Sequence, residues 1–262
     1  MLGRYIDLGN PVSDHPVNRD LVAWWQPLPN NIGGNRLFDL KGRRHATLTN
    51  GGQWTLGVNG LPAIKGDGTD SAFVVANDSA LQLTNNFTLA AAVRLNSLAA
   101  VEHSLFTKGA NEYEFDIVSS GTSIRFNKDG VSVLMSATYP GNTAWHHVAC
   151  TKSGNDLVIY IDGRPNLGTD PATFPGTGTR ELVIGSDDAT GSTKSMNGDM
   201  SDMRIYNVAL SARRAHDLYR QWRLGHPDTL RWFSRKTYLH SVSGAAPPAG
   251  NRRRRVIMCG SR

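Results

Sequence analysis

The chain has 262 residues, 39% hydrophobic and 19% charged, with 27 glycines and 12 prolines. That composition excludes a wholly disordered chain and suits one large, turn-rich β-domain with terminal extensions. No apolar run reaches the ~20 residues that cross a membrane, and the first residues form no signal-peptide core. We therefore expect synthesis in the cytoplasm without a signal peptide, and no membrane partner.

The positive charge is concentrated at the C-terminus. The net charge is +6, but residues 221–262 hold nine bases and one acid (+8), whereas the other 220 residues hold 19 bases and 21 acids (−2). Such a tail can bind nucleic acid through its phosphates, enter an acidic groove of a neighbouring subunit, or remain solvated. No nucleic-acid-binding module accompanies it, so we favour contact with another protein subunit.

The elements predicted in chain order begin with an N-terminal arm, residues 1–20. Through residue 208, short apolar runs then alternate with Gly, Asn, Asp and Pro clusters, a pattern typical of many strands joined by turns. Two hairpins are predicted. One turns at Asp162-Gly163, after the β-prone run at residues 157–161, and the other turns at residues 128–130.

One helix is predicted over residues 211–224, with Ser211 as its N-cap. Its apolar residues at i, i+3, i+4 and i+7 are Ala215, Leu218, Tyr219 and Trp222. Residues 221–242 follow as a docking segment and residues 243–262 as a linker with the basic tail. In the tail, a short apolar triplet could add a strand to a partner's sheet. The predicted partner-binding residues are Trp232, Phe233, Arg252, Arg253, Arg254, Arg255, Val256, Ile257 and Met258.

Eight short blocks follow one another between residues 87 and 219. They are Phe87-Thr88-Leu89, Ser104-Leu105-Phe106-Thr107-Lys108-Gly109, Trp145-His146-His147-Val148-Ala149, Leu157-Val158-Ile159-Tyr160-Ile161-Asp162-Gly163, Leu182-Val183-Ile184-Gly185, Met203-Arg204-Ile205-Tyr206-Asn207, Ala209-Leu210-Ser211 and Leu218-Tyr219. Their order resembles that of the laminin-G-like, concanavalin-A-like jelly-roll family, over about residues 21–220. The resemblance implies an all-β jelly-roll sandwich with a short C-terminal helix and extended arms. Its expected core comprises Phe87, Leu89, Val93, Phe106, Phe115, Trp145, Val148, Ile159, Ile161, Ile184, Ile205 and Tyr206.

The resemblance also implies a candidate calcium site, because many domains of this family hold one calcium at the rim of the sandwich. Asp39 matches an early Asp-rich loop, Asp202 matches the aspartate before Arg-Ile-Tyr, and Asp199 is a neighbour. Calcium needs six to eight oxygen ligands, and the bases at positions 41–45 oppose it. These aspartates could equally pair with Arg204 or cap a turn.

Candidate glycan contacts are the aromatic residues Trp54 and Tyr139. For the adjacent pair Trp24-Trp25, which lies at the family's first strand, core packing is favoured over sugar contact, because large aromatic side chains are so often buried.

Two further features predict structure rather than chemistry. Adjacent strand residues face opposite ways, so His146 and His147 cannot readily share an ion, and we predict one packed and one surface histidine. Cys150 lies in an apolar strand and is predicted to be a buried thiol.

Glycoside hydrolysis is disfavoured by one position. Relatives that cleave glycans carry a Glu-x-Asp-x-x-Glu string, and this chain has Glu114 and Asp116 but Ser119 at the acid/base position. A retaining mechanism needs a second catalytic carboxylate, so the sequence predicts no catalytic residue and no enzyme activity.

Three classes of function therefore remain, in order of preference. The first is a structural or interaction protein in a larger assembly. In its overall organisation the chain is similar to laminin-G-like proteins of phage and other virions, which decorate capsids or tails and contact host glycans. The second is a free carbohydrate-binding module, and the third is a glycoside hydrolase. An interaction protein would use its arms, whereas a free module would bind glycan without them.

Overall fold

We describe the fold from a computed structural model of the chain. The described residues are 16–27, 34–98, 102–109, 111–118, 121–130, 132–167, 175–191 and 194–224. The predicted basic tail, residues 225–242 of the docking segment and residues 1–15 of the arm lie outside them.

The described residues form sixteen strands and one α-helix. The strands are β1 (Leu21–Trp25), β2 (Arg36–Leu37), β3 (Ala46–Thr49), β4 (Gln53–Leu56), β5 (Pro62–Asp67), β6 (Ala72–Val75), β7 (Asn86–Leu95), β8 (His103–Thr107), β9 (Tyr113–Val118), β10 (Ser123–Lys128), β11 (Ser132–Thr138), β12 (His146–Ser153), β13 (Asp156–Ile161), β14 (Arg164–Leu167), β15 (Leu182–Ile184) and β16 (Asn197–Tyr206). The helix is α1 (Ala212–Leu224). No described helix is long and apolar enough to span a bilayer.

The strands form two antiparallel sheets that pack as a sandwich. Sheet A has the order β14-β13-β12-β7-β16-β5-β4, and β1 also pairs with β16. Sheet B has the order β11-β10-β9-β8-β15-β6-β3-β2. The sequence-based expectation of an all-β sandwich with a short C-terminal helix is confirmed.

Period-two alternation places polar residues on the outer faces of the sheets. On β9, Tyr113, Phe115 and Ile117 join the core, so Glu114 and Asp116 between them face outward. The predicted hairpin after β13 is confirmed, because Asp162 and Gly163 both have positive φ angles (52° and 72°). A two-residue type I′ turn requires that geometry at both positions.

Helix α1 begins where the N-cap was predicted. The backbone N–H of Ala215 donates to the Ser211 carbonyl at 2.9 Å, and the N–H of Arg214 donates to Ser211 Oγ at 3.4 Å. Ala215, Leu218 and Trp222 are buried. The 3.6-residue periodicity therefore identified the helical face that packs on the sandwich.

Eleven of the twelve expected core residues are buried, and Trp145 is not. Trp145 is half-buried beside Trp222, with ring centroids 6.3 Å apart. It precedes β12, so it lies at the edge of the sheet rather than between the sheets. The packed alternative for Trp24 and Trp25 is confirmed, as both are fully buried, and Cys150 is a buried free thiol.

Candidate functional site

A polar cleft of about 420 Å³ lies on the outer face of sheet A. It crosses four neighbouring strands, β4, β5, β16 and β7, and is called the polar cleft below. Cross-strand pairing aligns Gln53 with Lys65, Lys65 with Asp199, and Asp199 with Arg94. The side chains that line the cleft are Gln53, Thr55, Lys65, Asp67, Arg94, Asn96, Asn197 and Asp199.

Asp199 is the buried polar group at the centre of this row. Its side chain is only 1% exposed, and its Oδ2 accepts a hydrogen bond from Arg94 Nε at 2.8 Å and another from Arg94 Nη2. Among the described residues, Asp199 Oδ1 has no hydrogen-bond partner. A buried carboxylate oxygen without a donor is costly, so the fold leaves one unsatisfied acceptor in the wall of the polar cleft.

Arg94 connects the polar cleft to an aromatic edge. Its side chain is 36% exposed, and its guanidinium lies 5.5 Å from the centroid of the Trp145 ring. The half-buried indole thus adds an apolar surface beside the row of charged and amide groups. The lining carries two bases and two acids, so its formal charge is zero and favours a neutral polar ligand.

A second polar group, called the acidic cluster, lies on the outer face of sheet B. Glu114 accepts hydrogen bonds from Ser104 Oγ at 3.0 Å, Lys194 Nζ at 2.8 Å and Asn127 Nδ2 at 3.1 Å. Asp116, opposite Arg125 across the β9–β10 pair, binds its guanidinium at 2.7–3.0 Å. Both acids are buried, and each already has a basic partner.

Burial governs the protonation of Asp116. Its pKa is raised to about 7, chiefly by burial and then by the nearby charge of Glu114, against the lowering effect of Arg125. The same negative charge acts on Lys194, whose pKa rises because Glu114 stabilises its ammonium form. The acidic cluster is therefore a set of paired acids and bases rather than a row of free carboxylates.

The acidic cluster extends from Glu114 to two more carboxylates, and these three carboxylates together could hold a metal ion. Ligand oxygens of Glu114, Asp129 and Asp187 lie within 4.8 Å of one another. Carboxylate oxygens suit calcium, but Lys194 Nζ lies 2.8 Å from Glu114 and 3.8 Å from Asp187. The lysine ammonium therefore supplies part of the positive charge that a cation would bring.

The predicted calcium ligands are not brought together. The carboxylate of Asp39 accepts backbone N–H bonds from Trp24, Lys41, Arg43 and Arg44 at 2.9–3.3 Å. It thus caps a turn, the alternative that the sequence left open. Asp202 pairs with Arg204 and Asp199 pairs with Arg94. Within the described residues these three aspartates form no common ligand group.

Asp202 is held by the geometry of β16. Where β16 pairs with β7, the strand register changes between Ser201 and Arg204. Asp202, which lies between them, has a positive φ of 53°. Its Oδ1 accepts from Trp24 Nε1 at 2.7 Å and from Arg204 Nε at 2.8 Å. This irregularity turns the carboxylate towards a buried guanidinium that also lies 4.1 Å from the centroid of the Trp24 ring.

The two predicted glycan-contacting aromatics differ in exposure. Trp54 is half-buried, packs edge-on against Phe73 at 6.0 Å and donates from Nε1 to the Gly34 carbonyl at 2.9 Å. Tyr139 is only 2% exposed and packs against His146 at 5.4 Å. The expectation that Tyr139 offers an exposed ring was wrong, because the ring lies in the core.

The prediction for the histidine pair was wrong in one respect, because both residues are buried. His146 bonds to Asp162 Oδ2 at 2.8 Å and to Asn142 Oδ1 at 2.9 Å. His147 packs between Tyr219 and Trp222, and burial lowers its pKa to about 3. The turn at Asp162 covers His146, and helix α1 covers His147. The alternation of residues along a strand cannot reveal that a separate element covers its outer face.

The remaining predicted site residues lie outside the described part of the chain. These are the partner-binding residues Trp232, Phe233, Arg252, Arg253, Arg254, Arg255, Val256, Ile257 and Met258, and Ser119 of the glucanase-like string. Sequence reasoning also missed the pairing of Arg94 with Asp199. An arginine inside the largely apolar strand β7 was the available signal.

Comparison with known proteins places the fold in a family. Residues 67–215, more than half of the chain, match the laminin-G sequence profile described as the concanavalin A-like lectin/glucanases superfamily. The chain therefore belongs to this superfamily. No curated protein sequence matches it.

Several solved structures share the fold at low sequence identity. The binding domain of Paraclostridial Mosquitocidal Protein 1 is 14% identical, with a TM-score of 0.61, over 79% of this chain and 53% of that one. The binding domain of Botulinum neurotoxin DC, solved in complex with rat synaptotagmin II, is 14% identical, with a TM-score of 0.62, over 78% and 52%. This chain thus spans about half the length of each.

A third structure matches over nearly its whole length. Domain 4 of AbnA, a GH43 extracellular arabinanase from Geobacillus stearothermophilus, was solved in complex with arabinotriose. It is 18% identical, with a TM-score of 0.60, over 76% of this chain and 98% of that chain. At such identities these likenesses establish the fold alone.

Proposed function

We propose that this chain is a non-enzymatic glycan-binding domain whose ligand occupies the polar cleft. The observation that carries the proposal is Asp199 Oδ1, a buried carboxylate oxygen without a hydrogen-bond partner among the described residues. A sugar hydroxyl can donate to this oxygen and accept from the half-exposed Arg94. The ligand would thereby satisfy a group that the fold leaves unsatisfied.

The remaining lining fits the chemistry of a neutral sugar. Gln53, Asn96 and Asn197 provide amide donors and acceptors, and Trp145 provides an apolar ring surface at the edge. A volume of about 420 Å³ falls in the range of small-molecule sites and suits a short oligosaccharide.

The comparisons support a binding role without identifying the ligand. The arabinanase domain was solved with arabinotriose, which favours a glycan, whereas the neurotoxin binding domain was solved with synaptotagmin II. A protein ligand is therefore the alternative outcome of any binding test.

The lack of enzyme activity is part of the proposal and is supported by the acidic cluster. Glu114 and Asp116 share the outward face of β9, where a glycosidase would carry its carboxylates. Lys194 and Arg125 pair with them, and Ser119 stands at the acid/base position. Both acids are thus engaged in ion pairs rather than poised for glycoside hydrolysis.

The glycan proposal is tested on an array of immobilised glycans, with and without calcium. Gln53→Ala and Asn96→Ala remove exposed side chains from the polar cleft, and Thr47→Ala removes an exposed side chain from sheet B as the matched control. We expect the first two variants to weaken binding at least about tenfold and the control to bind as wild type. Equal binding by all three variants would place the ligand elsewhere.

We also propose that the chain acts as a subunit of a larger assembly, specifically a virion in which it decorates the capsid or tail. The +8 charge of residues 221–262 and the apolar triplet at Val256 to Met258 support a docking role for the C-terminus. Density-purified particles from producing cells should contain the chain at a fixed ratio by mass spectrometry, and removal of residues 250–262 should lower that ratio. Absence from particles would refute this assignment and leave the cleft proposal intact.

A further inference from the structure

Lys108 is fully buried next to a carboxamide and a carboxyl group. It follows β8, and its Nζ donates to Asn77 Oδ1 at 2.8 Å and to the Arg180 carbonyl at 2.7 Å. Nζ also lies 3.2 Å from Glu112 Oε2, and the two side chains are 0% and 1% exposed. These residues belong neither to the polar cleft nor to the acidic cluster.

The geometry brings an amine close to an amide carbon. Asn77 Cγ lies one C=O bond (~1.2 Å) from Oδ1, so Nζ is within about 4 Å of Cγ. Reacting atoms in productive complexes lie about 3–3.5 Å apart, so a small movement of the lysine suffices.

The environment of Asn77 also favours attack on its carbonyl. Oδ1 accepts a second hydrogen bond, from Gln82 Nε2 at 3.3 Å, and this donor remains to stabilise the charge that develops on Oδ1 while Nζ attacks Cγ. Asn77 itself is exposed, so a departing nitrogen can leave into solvent.

Glu112 can exchange a proton with the lysine. Burial raises the pKa of the Glu112 carboxyl, although Lys108 lowers it. A buried ion pair is costly to keep charged, so transfer of one proton from the ammonium to the carboxylate gives a neutral amine and a neutral acid. The neutral amine is the nucleophilic form.

We propose that Lys108 and Asn77 become joined by an isopeptide bond within the chain, with Glu112 as the catalytic proton-transfer group. Glu112 takes a proton from the Lys108 ammonium, and Nζ attacks Asn77 Cγ. The Nζ–Cγ bond forms, the Cγ–Nδ2 bond breaks, and a second Nζ proton passes through Glu112 to Nδ2, which leaves as ammonia. The products are a secondary amide, ammonia and a protonated Glu112, so no oxidant or cofactor is required.

The cross-link would tie the loop after β6 to the turn between β8 and β9, at one end of sheet B. β15 lies between β6 and β8 in that sheet and is itself preceded by Arg180. A covalent bond there would hold together the ends of β6, β8 and β15, which are neighbours in the sheet but far apart in sequence.

The decisive experiment is mass spectrometry of the purified full chain. After allowance for removal of the initiating methionine, we expect an intact mass lower than that of the sequence by one ammonia. Trypsin should then release residues 66–94 joined to residues 95–125, with no cleavage after Lys108 because its amine is acylated.

Peptide mapping is essential because a second reaction also releases ammonia. Asn50, Asn59 and Asn197 each precede glycine and can cyclise to succinimides. A deficit found on one of those linear peptides would overturn the proposal. So would a folded chain that keeps its full mass after prolonged incubation at both about pH 7 and about pH 9.

Two variants and one control separate chemistry from folding. Lys108→Arg keeps a buried cation but cannot form the amide, and Glu112→Gln removes the proton acceptor, so both should show the full mass. Lys152→Arg changes another fully buried lysine, whose Nζ donates to the Gly154 carbonyl at 2.7 Å, and should keep the deficit. Circular dichroism of each variant verifies the fold, and a deficit retained in folded Lys108→Arg would refute the assignment.

Discussion

His147 should make the domain less stable in mild acid. The imidazole is only 1% exposed, lies between the rings of Tyr219 and Trp222, and neither ring nitrogen has a hydrogen-bond partner among the described residues. Burial, and after it the positive charge of Arg204, lower its pKa from 6.5 to about 3. The folded protein therefore holds a neutral imidazole at a pH where the unfolded chain is protonated.

The size of the effect follows from linkage. Below pH 6.5 the histidine of the unfolded chain binds a proton, whereas the histidine of the folded protein does not bind one until about pH 3. The free energy of unfolding therefore falls as the pH drops from 6.5 to about 3. Between about pH 7.5 and about pH 4.5 the loss is about 3 kcal/mol, from two pKa units at about 1.4 kcal/mol each.

Asp116 acts in the opposite direction and must be separated. Its pKa is raised from 3.8 to about 7 in the fold, so its contribution to stability is present below pH 3.8 and is lost as the pH rises to about 7. A pH profile of wild type alone would mix the two effects. The difference between a His147 variant and wild type, measured at each pH, isolates the histidine.

His147→Phe is the informative variant, followed by urea unfolding monitored by tryptophan fluorescence. The free energy of unfolding of this variant, minus that of wild type, should be about 3 kcal/mol larger at about pH 4.5 than at about pH 7.5. Ile205→Val serves as the control, since a lost core methylene should cost about 1 kcal/mol at both pH values. A His147→Phe difference that does not change with pH would show that the native imidazole accepts its proton freely and refute the reasoning.

Three further predictions concern other buried groups. Asp39→Ala should lower the free energy of unfolding by about 3 kcal/mol in urea titrations, because four backbone N–H groups lose their acceptor; a loss below about 1 kcal/mol would contradict that role. In a Cys259→Ser background, the Cys150 thiol should resist a disulfide reagent in the native protein and react once unfolded, because burial raises its pKa; rapid native labelling would show that the strand opens. Lys194→Met should raise the calcium affinity of the acidic cluster at least about tenfold by calorimetry, with Lys65→Met as the control, because it removes the ammonium between the carboxylates; unchanged affinity would show that no cation binds among them.

Local patterns predicted the fold well. The turn at Asp162-Gly163 was predictable because only a few residue types tolerate two successive positive φ angles. The helix face at Ala215, Leu218 and Trp222 was predictable because its spacing has a single periodic interpretation. The order of short blocks added the family, whose profile covers residues 67–215.

The sites were harder to predict, because each combines residues from strands far apart in sequence. Asp199 was singled out as a calcium ligand, yet its partner Arg94 lies 105 positions away on β7. Tyr139 and His146 carry polar groups and could have lain at the surface, yet both side chains are buried. Lys108 and Asn77 carry no shared motif, and only the folded rim of sheet B places them in contact.

The sequence by itself therefore determined the strands, the turns, the helix and the family, since these depend on backbone preferences and on alternation along short stretches of chain. Only the tertiary structure decided which polar groups meet. Hydrogen-bonded register across β4, β5, β16 and β7 aligns the polar cleft, and the irregularity in β16 turns Asp202 inward. Those pairings depend on long-range strand order, which no local pattern of residues specifies.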